Sequence, residues 1–177
     1  NVSLTENVQT IGDYAFSGCV NLKSITIPTT LVSIEDSAFV DCESLISLDF
    51  SKCNSLKTID ARVFRYCSGL ESIKIPKSVK KIGESAFEQC ESLEKLELGN
   101  KLESVGKHFI AYTKITDLIF PGGAGVTLDI KPYALYYSNV RRVKVKSDYV
   151  IVNSYSMGVH NIKLEEVVPY VIERIQF

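Results

Sequence analysis

IGDYAFSGCVNLKSITIP, from Ile11 to Pro28, decides the fold because it comes back. It returns as IEDSAFVDCESLISLDF from Ile34, as IDARVFRYCSGLESIKIP from Ile59 and as IGESAFEQCESLEKLEL from Ile82. The four copies align without internal gaps. Phe16, Phe39, Phe64 and Phe87 recur at intervals of 23, 25 and 23 residues, and Cys19, Cys42, Cys67 and Cys90 keep the same intervals. A fixed period of this length marks a solenoid, in which one supersecondary unit stacks on the next. Outward from these copies the pattern decays. A fifth runs through Val105, Phe109, Ile115, Leu118, Phe120 and Pro121, with one residue lost early and Thr113 near the cysteine column. A sixth runs through Ile130, Ala134, Leu135, Val143 and Val145, and a seventh is reduced to Val159, Ile162 and Leu164. Upstream, Val2, Leu4 and Val8 repeat the spacing of Ile25, Ile27 and Leu31, which predicts a chain that opens inside a repeat of an array cut upstream.

Each unit contains L-x-x-I-x-I, as in Leu22, Ile25 and Ile27, whose terminal alternation predicts a short strand with one buried face. Because every unit runs the same way, stacked units pair these strands into a parallel sheet. The IGDYAFSGC segment then carries the return path, as a turn or one to two helical turns, with Ala, Phe and Cys facing inward. Asp13, Glu35, Glu84 and Lys107 fall at solvent-facing slots, and Pro28, Pro76 and Pro121 close strands where no ladder donor is needed. No unit can bury its own apolar face, so neighbours supply the missing wall.

The 177 residues, 45% hydrophobic and 23% charged, fit one folded domain. A net charge of −1 gives no electrostatic reason to expect nucleic acid or an anionic membrane, and the apolar runs are too short to span a bilayer. Five cysteines without a C-x-x-C pattern indicate neither a disulfide framework nor a zinc site; all five, including Cys53 in the insertion SKCNS, are expected as buried thiols. No nucleophile elbow, zincin motif or phosphate-binding loop is present, and His108 and His160 stand far apart in the degenerate region. Gly122-Gly123-Ala124-Gly125 lacks the lysine of a phosphate loop and reads as a flexible link between repeats. No enzyme and no cofactor or metal are expected.

On the strand face, alternation predicts an exposed column of Thr26, Asp49, Lys74, Glu97, Ile119, Lys144 and Lys163. Its mixed signs argue against a groove for a polyanion. Ile119 is its one apolar point and an anchor for a protein partner. Arg141, Arg142, Lys144 and Lys146 form the only strong local charge bias, with Arg142, Lys144 and Lys146 on one strand face. Lys74, Glu97, Ile119, Arg142 and Lys144 are therefore the candidate binding residues.

The unit I-G-x-x-A-F-x-x-C-x-x-L-x-x-I-x-I-P, spelled out from Ile11 to Pro28 and from Ile82 to Leu98, closely resembles the BspA-like leucine-rich-repeat family. The match is specific from Ile11 to Leu98, moderate to Pro121 and weak from Val126, where the Phe and Cys columns are lost. The resemblance implies an α/β solenoid: a right-handed, curved array with a parallel sheet on its concave side and short helical or turn return segments. One domain over 1–177 is expected, with regular repeats over 8–100, degenerate repeats over 101–165, and a cap or truncated repeat over 166–177. The resemblance also implies a surface or secreted protein that adheres to host matrix proteins or other surface proteins. The reading is thus a monomeric, non-enzymatic protein-binding module, with a sulfated glycan as a second partner class at the basic cluster and a structural spacer as the alternative role.

Overall fold

The computed structural model describes residues 2–147, 149–153 and 155, and the backbone of residues 163–165 and 171–173. Each turn of the solenoid contributes two short parallel strands, so the chain alternates between two rows. The first row comes from L-x-x-I-x-I and comprises β1 (Val2–Ser3), β3 (Ile25–Thr26), β5 (Ser47–Asp49), β7 (Ser72–Lys74), β9 (Lys95–Glu97), β11 (Asp117–Phe120), β13 (Arg142–Val145) and β15 (Lys163–Glu165). The second comprises β2 (Thr10–Ile11), β4 (Ser33–Ile34), β6 (Thr58–Ile59), β8 (Lys81–Ile82), β10 (Ser104–Val105), β12 (Thr127–Ile130), β14 (Tyr149–Val152) and β16 (Val171–Glu173). The second row is one continuous eight-stranded parallel sheet. The first row splits into ladders of β1–β3, β5–β7–β9 and β11–β13–β15. The second row is the element that periodicity misses: a two-residue strand such as Thr58–Ile59 has no alternation to read.

The expected helical return segments are a correction. No helix occurs among the described residues, and IGDYAFSGC and its copies are stacked turns. Two positions four residues apart adopt positive φ in successive copies, as in Tyr14 and Gly18, Ser37 and Asp41, Arg62 and Tyr66, Ser85 and Gln89, His108 and Tyr112, and Tyr133 and Tyr137. That conformation reverses the backbone locally and breaks the run of right-handed residues a helix needs. Alternate N–H groups then close turns inside the coil (Ala15 N to Gly12 O, 3.2 Å; Ser17 N to Tyr14 O, 2.9 Å) or reach the next coil. Tyr14, Phe16 and Gly18 donate to Asp36, Ala38 and Val40 at 3.1, 2.8 and 2.8 Å, and Ser37, Phe39 and Asp41 donate to Ala61, Val63 and Arg65 at 3.0, 2.9 and 3.0 Å. The turn face is therefore hydrogen-bonded along the stack much as a sheet is, which satisfies the backbone without a helix.

The core is a set of columns. Phe39, Phe64 and Phe87 are wholly buried, and rings from Phe16 to Phe87 stack at centroid distances of 5.1, 5.5 and 5.4 Å with planes within 13° of parallel. Cys42, Cys67 and Cys90 point their thiols back at the carbonyls of Phe16, Phe39 and Phe64 (3.1, 3.1 and 3.0 Å), tying each coil to the one before. Cys53 is also buried and points at Pro28 O, 3.4 Å away; burial pushes its thiol up to about 11. Hydrogen bonding with Cys42, together with burial, raises Cys67, and burial raises Cys90. Cys19 departs from the expectation of five buried thiols. It is only half-buried, because in the first full turn a neighbour covers one side of the column.

The fifth copy also differs from its sequence alignment. The positive-φ pair His108 and Tyr112 keeps the spacing of Ser85 and Gln89, and Phe87 N donates to Phe109 O as Phe64 N donates to Ala86 O. Phe109 therefore fills the alanine slot and Ile110 the phenylalanine slot, and the residue is lost late, between Thr113 and Ile115. Gly122, expected as part of a flexible link, is tightly constrained: at φ 61° its missing Cβ would lie 2.3 Å from Ser147 N. The seventh copy's Val159 and Ile162 lie outside the described residues, as does His160. The expectation for 166–177 falls outside them too, except for β16, which pairs with β14.

Candidate interaction surface

The first row of strands positions the candidate residues. Inward residues Leu48, Ile73, Leu118 and Val143 are buried, so strand alternation turns their neighbours to solvent. Parallel register places Asp49, Lys74 and Glu97 in one cross-strand row over β5, β7 and β9. It places Ile119, Lys144 and Glu165 in a second row over β11, β13 and β15, and Asp117, Arg142 and Lys163 in a third. Glu165, not Lys163, therefore continues the column through Ile119 and Lys144, a two-residue shift that the decayed seventh copy hides from the sequence.

Charges along these rows compensate one another. Lys74 Nζ lies 3.7 Å from Glu97 Oε1, both well exposed. Asp49 accepts the backbone N–H of Ser51 at 2.8 Å, and hydrogen bonding to Ser51, aided by Lys74, holds its carboxyl below the usual range. Arg142 Nε pairs with Asp117, which also accepts from Thr116 Oγ1 at 2.8 Å, and these contacts hold Asp117 low. The basic cluster is thus partly neutralised from the preceding strand.

The row is interrupted between β9 and β11, which belong to different ladders. This break lies next to the residue lost between Thr113 and Ile115, and a like break separates β3 from β5. At the seam a shallow groove is lined by Leu96, Leu98, Ile119 and Pro121, with Glu94, Lys95, Glu97 and Asp117 around it. Ile119 is 50% exposed, and Leu96 and Leu98 are half-buried. A second groove shares Glu97, Leu98 and Pro121 and continues past Lys74 and Pro76. Three of the five candidates, Lys74, Glu97 and Ile119, border these connected grooves, while Arg142 and Lys144 lie one strand beyond. The Ile119 groove lies at a break between ladders that the sequence does not signal, since the break between β3 and β5 occurs where the copies align without gaps. Among the described residues no cluster of His, Cys, Asp or Glu is arranged to hold a metal, and no helix is long and apolar enough to cross a membrane.

Parallel strands stacked at one period of about 23 residues, with an outward-facing strand row, define a leucine-rich-repeat β-solenoid. The chain belongs to the family described as BspA type leucine-rich repeat region, whose model matches six copies over residues 1–115 and 50–164. Among solved structures it is similar to a leucine-rich repeat protein from Bacteroides ovatus (26% identity, TM-score 0.51), covering 96% of this chain and 55% of that one. It is also similar to the leucine-rich repeat protein of T. pallidum (18%, TM-score 0.58, 96% and 72% covered). A third is a leucine-rich cell surface protein from Faecalibacterium prausnitzii (17%, TM-score 0.50, 99% and 60% covered). The chain thus spans little more than half the length of the first and third of these proteins. No curated protein matches its sequence.

Proposed function

We propose that this chain is a non-enzymatic protein-binding module of a cell-surface or secreted protein, and that it adheres to a matrix or other surface protein through the seam between β9 and β11. Protein binding is the general role of leucine-rich repeats, and the F. prausnitzii relative is a cell surface protein by name. One observation carries the choice of site. Half-exposed Ile119 stands with Leu96, Leu98 and Pro121 in one groove inside a charged rim, the arrangement of apolar centre and polar edge found in protein interfaces. Shallow grooves spread over several coils suit a macromolecular surface better than an enclosed metabolite. The pairing of Arg142 with Asp117 weakens the case for a sulfated glycan.

The test is binding of the chain to a panel of matrix glycoproteins and sulfated glycans from low to high salt. Salt-resistant protein binding that Ile119→Asp abolishes supports the seam. Salt-sensitive glycan binding lost in Arg142→Glu and Lys144→Glu moves the site to the basic strand. Absence of binding throughout favours a structural spacer.

A further inference from the structure

The turn face carries a feature that protein binding at the strand face leaves unused. Its two positive-φ columns hold Tyr14, Ser37, Arg62 and Ser85 beside Gly18, Asp41, Tyr66 and Gln89 in the regular repeats, where a tyrosine stands singly, then become aromatic throughout: His108, Tyr133 and Tyr155 in one column, Tyr112 and Tyr137 in the other. Tyr133 stacks on Tyr155 at 5.4 Å (6° between planes), and Tyr112 stacks on Tyr137 at 5.2 Å (12°). Tyr136 bridges the columns, 4.0 Å from Tyr137 and 5.6 Å from Tyr133 with its ring turned 83° to the latter, and His108 lies 6.2 Å from each of Tyr133, Tyr136 and Tyr137. Tyr112, Tyr137 and Tyr155 are 43%, 55% and 62% exposed. Six rings thus form one continuous plateau open to solvent.

The fold does not require these rings. The columns need only a residue that tolerates positive φ, for which a bulky aromatic is a poor choice and Gly, Asn or Asp a good one. Ser37, Asp41 and Gly18 fill the same slots elsewhere in the chain. Nor do the rings pack the core, which lies on the other side of the turns.

We propose that the plateau formed by His108, Tyr112, Tyr133, Tyr136, Tyr137 and Tyr155 is a binding site for a neutral glycan chain, separate from the strand-face seam. Each tyrosine offers an apolar ring and a hydroxyl that donates and accepts, matching a pyranose, which has apolar C–H faces and a rim of hydroxyls. The stacked rings advance by one rung per coil, so a polymer lying along the solenoid meets the same chemistry repeatedly. Charge disfavours a polyanion: Lys107, whose ammonium stands 5.5 Å over Tyr133, is offset by Glu84 and Glu88, which act on His108 nearby. The rings also stack on one another, a surface of faces and edges rather than of aliphatic side chains.

The chain has no tryptophan and nine tyrosines, five of them in the plateau, so intrinsic tyrosine emission reads the site directly. Cellohexaose and chitohexaose are titrated into the 177-residue chain, with calorimetry in parallel and a decaproline peptide as the competing ligand. The expected result is saturable binding of at least one hexasaccharide, insensitive to salt, and weakened by about tenfold or more in Tyr133→Ser/Tyr137→Asp. Those replacements are borrowed from Ser37 and Asp41 at the same slots, so melting midpoints should match wild type. Ile119→Asp should leave this binding unchanged, which separates it from the strand-face reading. Failure of both hexasaccharides to bind, equal binding by the folded double variant, or binding of decaproline alone would each overturn the proposal.

Discussion

Phe64→Ala tests whether the ring column holds the middle of the solenoid. Phe64 is wholly buried, stacked at 5.5 Å on Phe39 and 5.4 Å on Phe87, with Phe50 tilted against it at 6.1 Å. Removing a fully buried aromatic forfeits its transfer free energy and leaves a cavity, together about 3–5 kcal/mol. Relaxation offers little relief, because the coils on either side are fixed by hydrogen bonds: Phe39 N to Val63 O and Phe64 N to Ala86 O, both at 2.9 Å. Phe16 is the internal comparison. It is half-buried with one stacked neighbour, so Phe16→Ala should cost about 1–2 kcal/mol, a fraction of full burial. Urea unfolding followed by far-ultraviolet circular dichroism measures both, and for a chain of this size the central variant should melt about 6–20 °C below wild type. Because repeat stability is a sum over neighbouring interfaces, the loss should concentrate near the altered coil, visible as faster amide exchange at Phe39, Phe87 and the substituted position. A Phe64→Ala loss no larger than that of Phe16→Ala would refute the column as the source of stability.

Other consequences can be checked separately. Native protein treated with a thiol-specific alkylating agent at pH 8 should label Cys19 first, with Cys42, Cys53, Cys67 and Cys90 reacting only after unfolding; mass spectrometry counts the adducts. Gln89 holds φ 61°, so Gln89→Gly should stabilise the chain by up to about 1 kcal/mol and raise the melting midpoint slightly, whereas Glu88→Gly next to it should lower it. Asp60 has its carboxyl raised above the ordinary value by burial, with Asp36 and Asp13 adding to the effect against Lys81. The folded chain therefore holds that proton at a pH where the unfolded chain has lost it, and ionising Asp60 costs stability as pH rises through the folded value. Asp60→Asn should accordingly stabilise at pH 7 by less than about 1 kcal/mol, an advantage that vanishes below the unfolded carboxylate range near about pH 4. Asp49 has the opposite sign: Ser51 holds it low, so Ser51→Pro should remove stability that is present above that range and lost as pH falls through the folded value, read from melting against pH.

How much of this was legible follows from what periodicity can encode. Phe16 to Phe87 and Leu22, Ile25 and Ile27 are spaced by the repeat itself, so the solenoid, its ring column and its outward strand row could be read before any coordinates. Lys74, Glu97 and Ile119 could be placed on that row because alternation fixes which residues face out. The second sheet could not, since Thr10–Ile11 and its equivalents through Ser104–Val105 are two residues long and are strands only because a neighbouring coil pairs with them. The turn face was read only as far as a turn or a short helix, for a related reason. Ser37, Arg62 and His108 share no propensity for positive φ, and the conformation is imposed by inter-coil hydrogen bonds that exist only in the stack.

That imposed geometry bears on function at both faces. Where the repeat is regular, each coil is held by the continuous second-row sheet and by ring and thiol columns within, and its positive-φ slots carry a mixture of small, charged and single tyrosine residues. Where the repeat decays, the break between β9 and β11 holds the Ile119 groove and every positive-φ slot is aromatic. The two candidate surfaces, one on the strand face and one on the turn face, share the fifth coil, from which the seam reaches back to Leu96 and Leu98 and the plateau forward to Tyr133 and Tyr155. A regular coil spends its residues on holding its neighbours. The irregular ones, supported from the N-terminal side by the stack, have side chains left over for recognition, and those are the coils where substitutions should change binding without changing the melting midpoint.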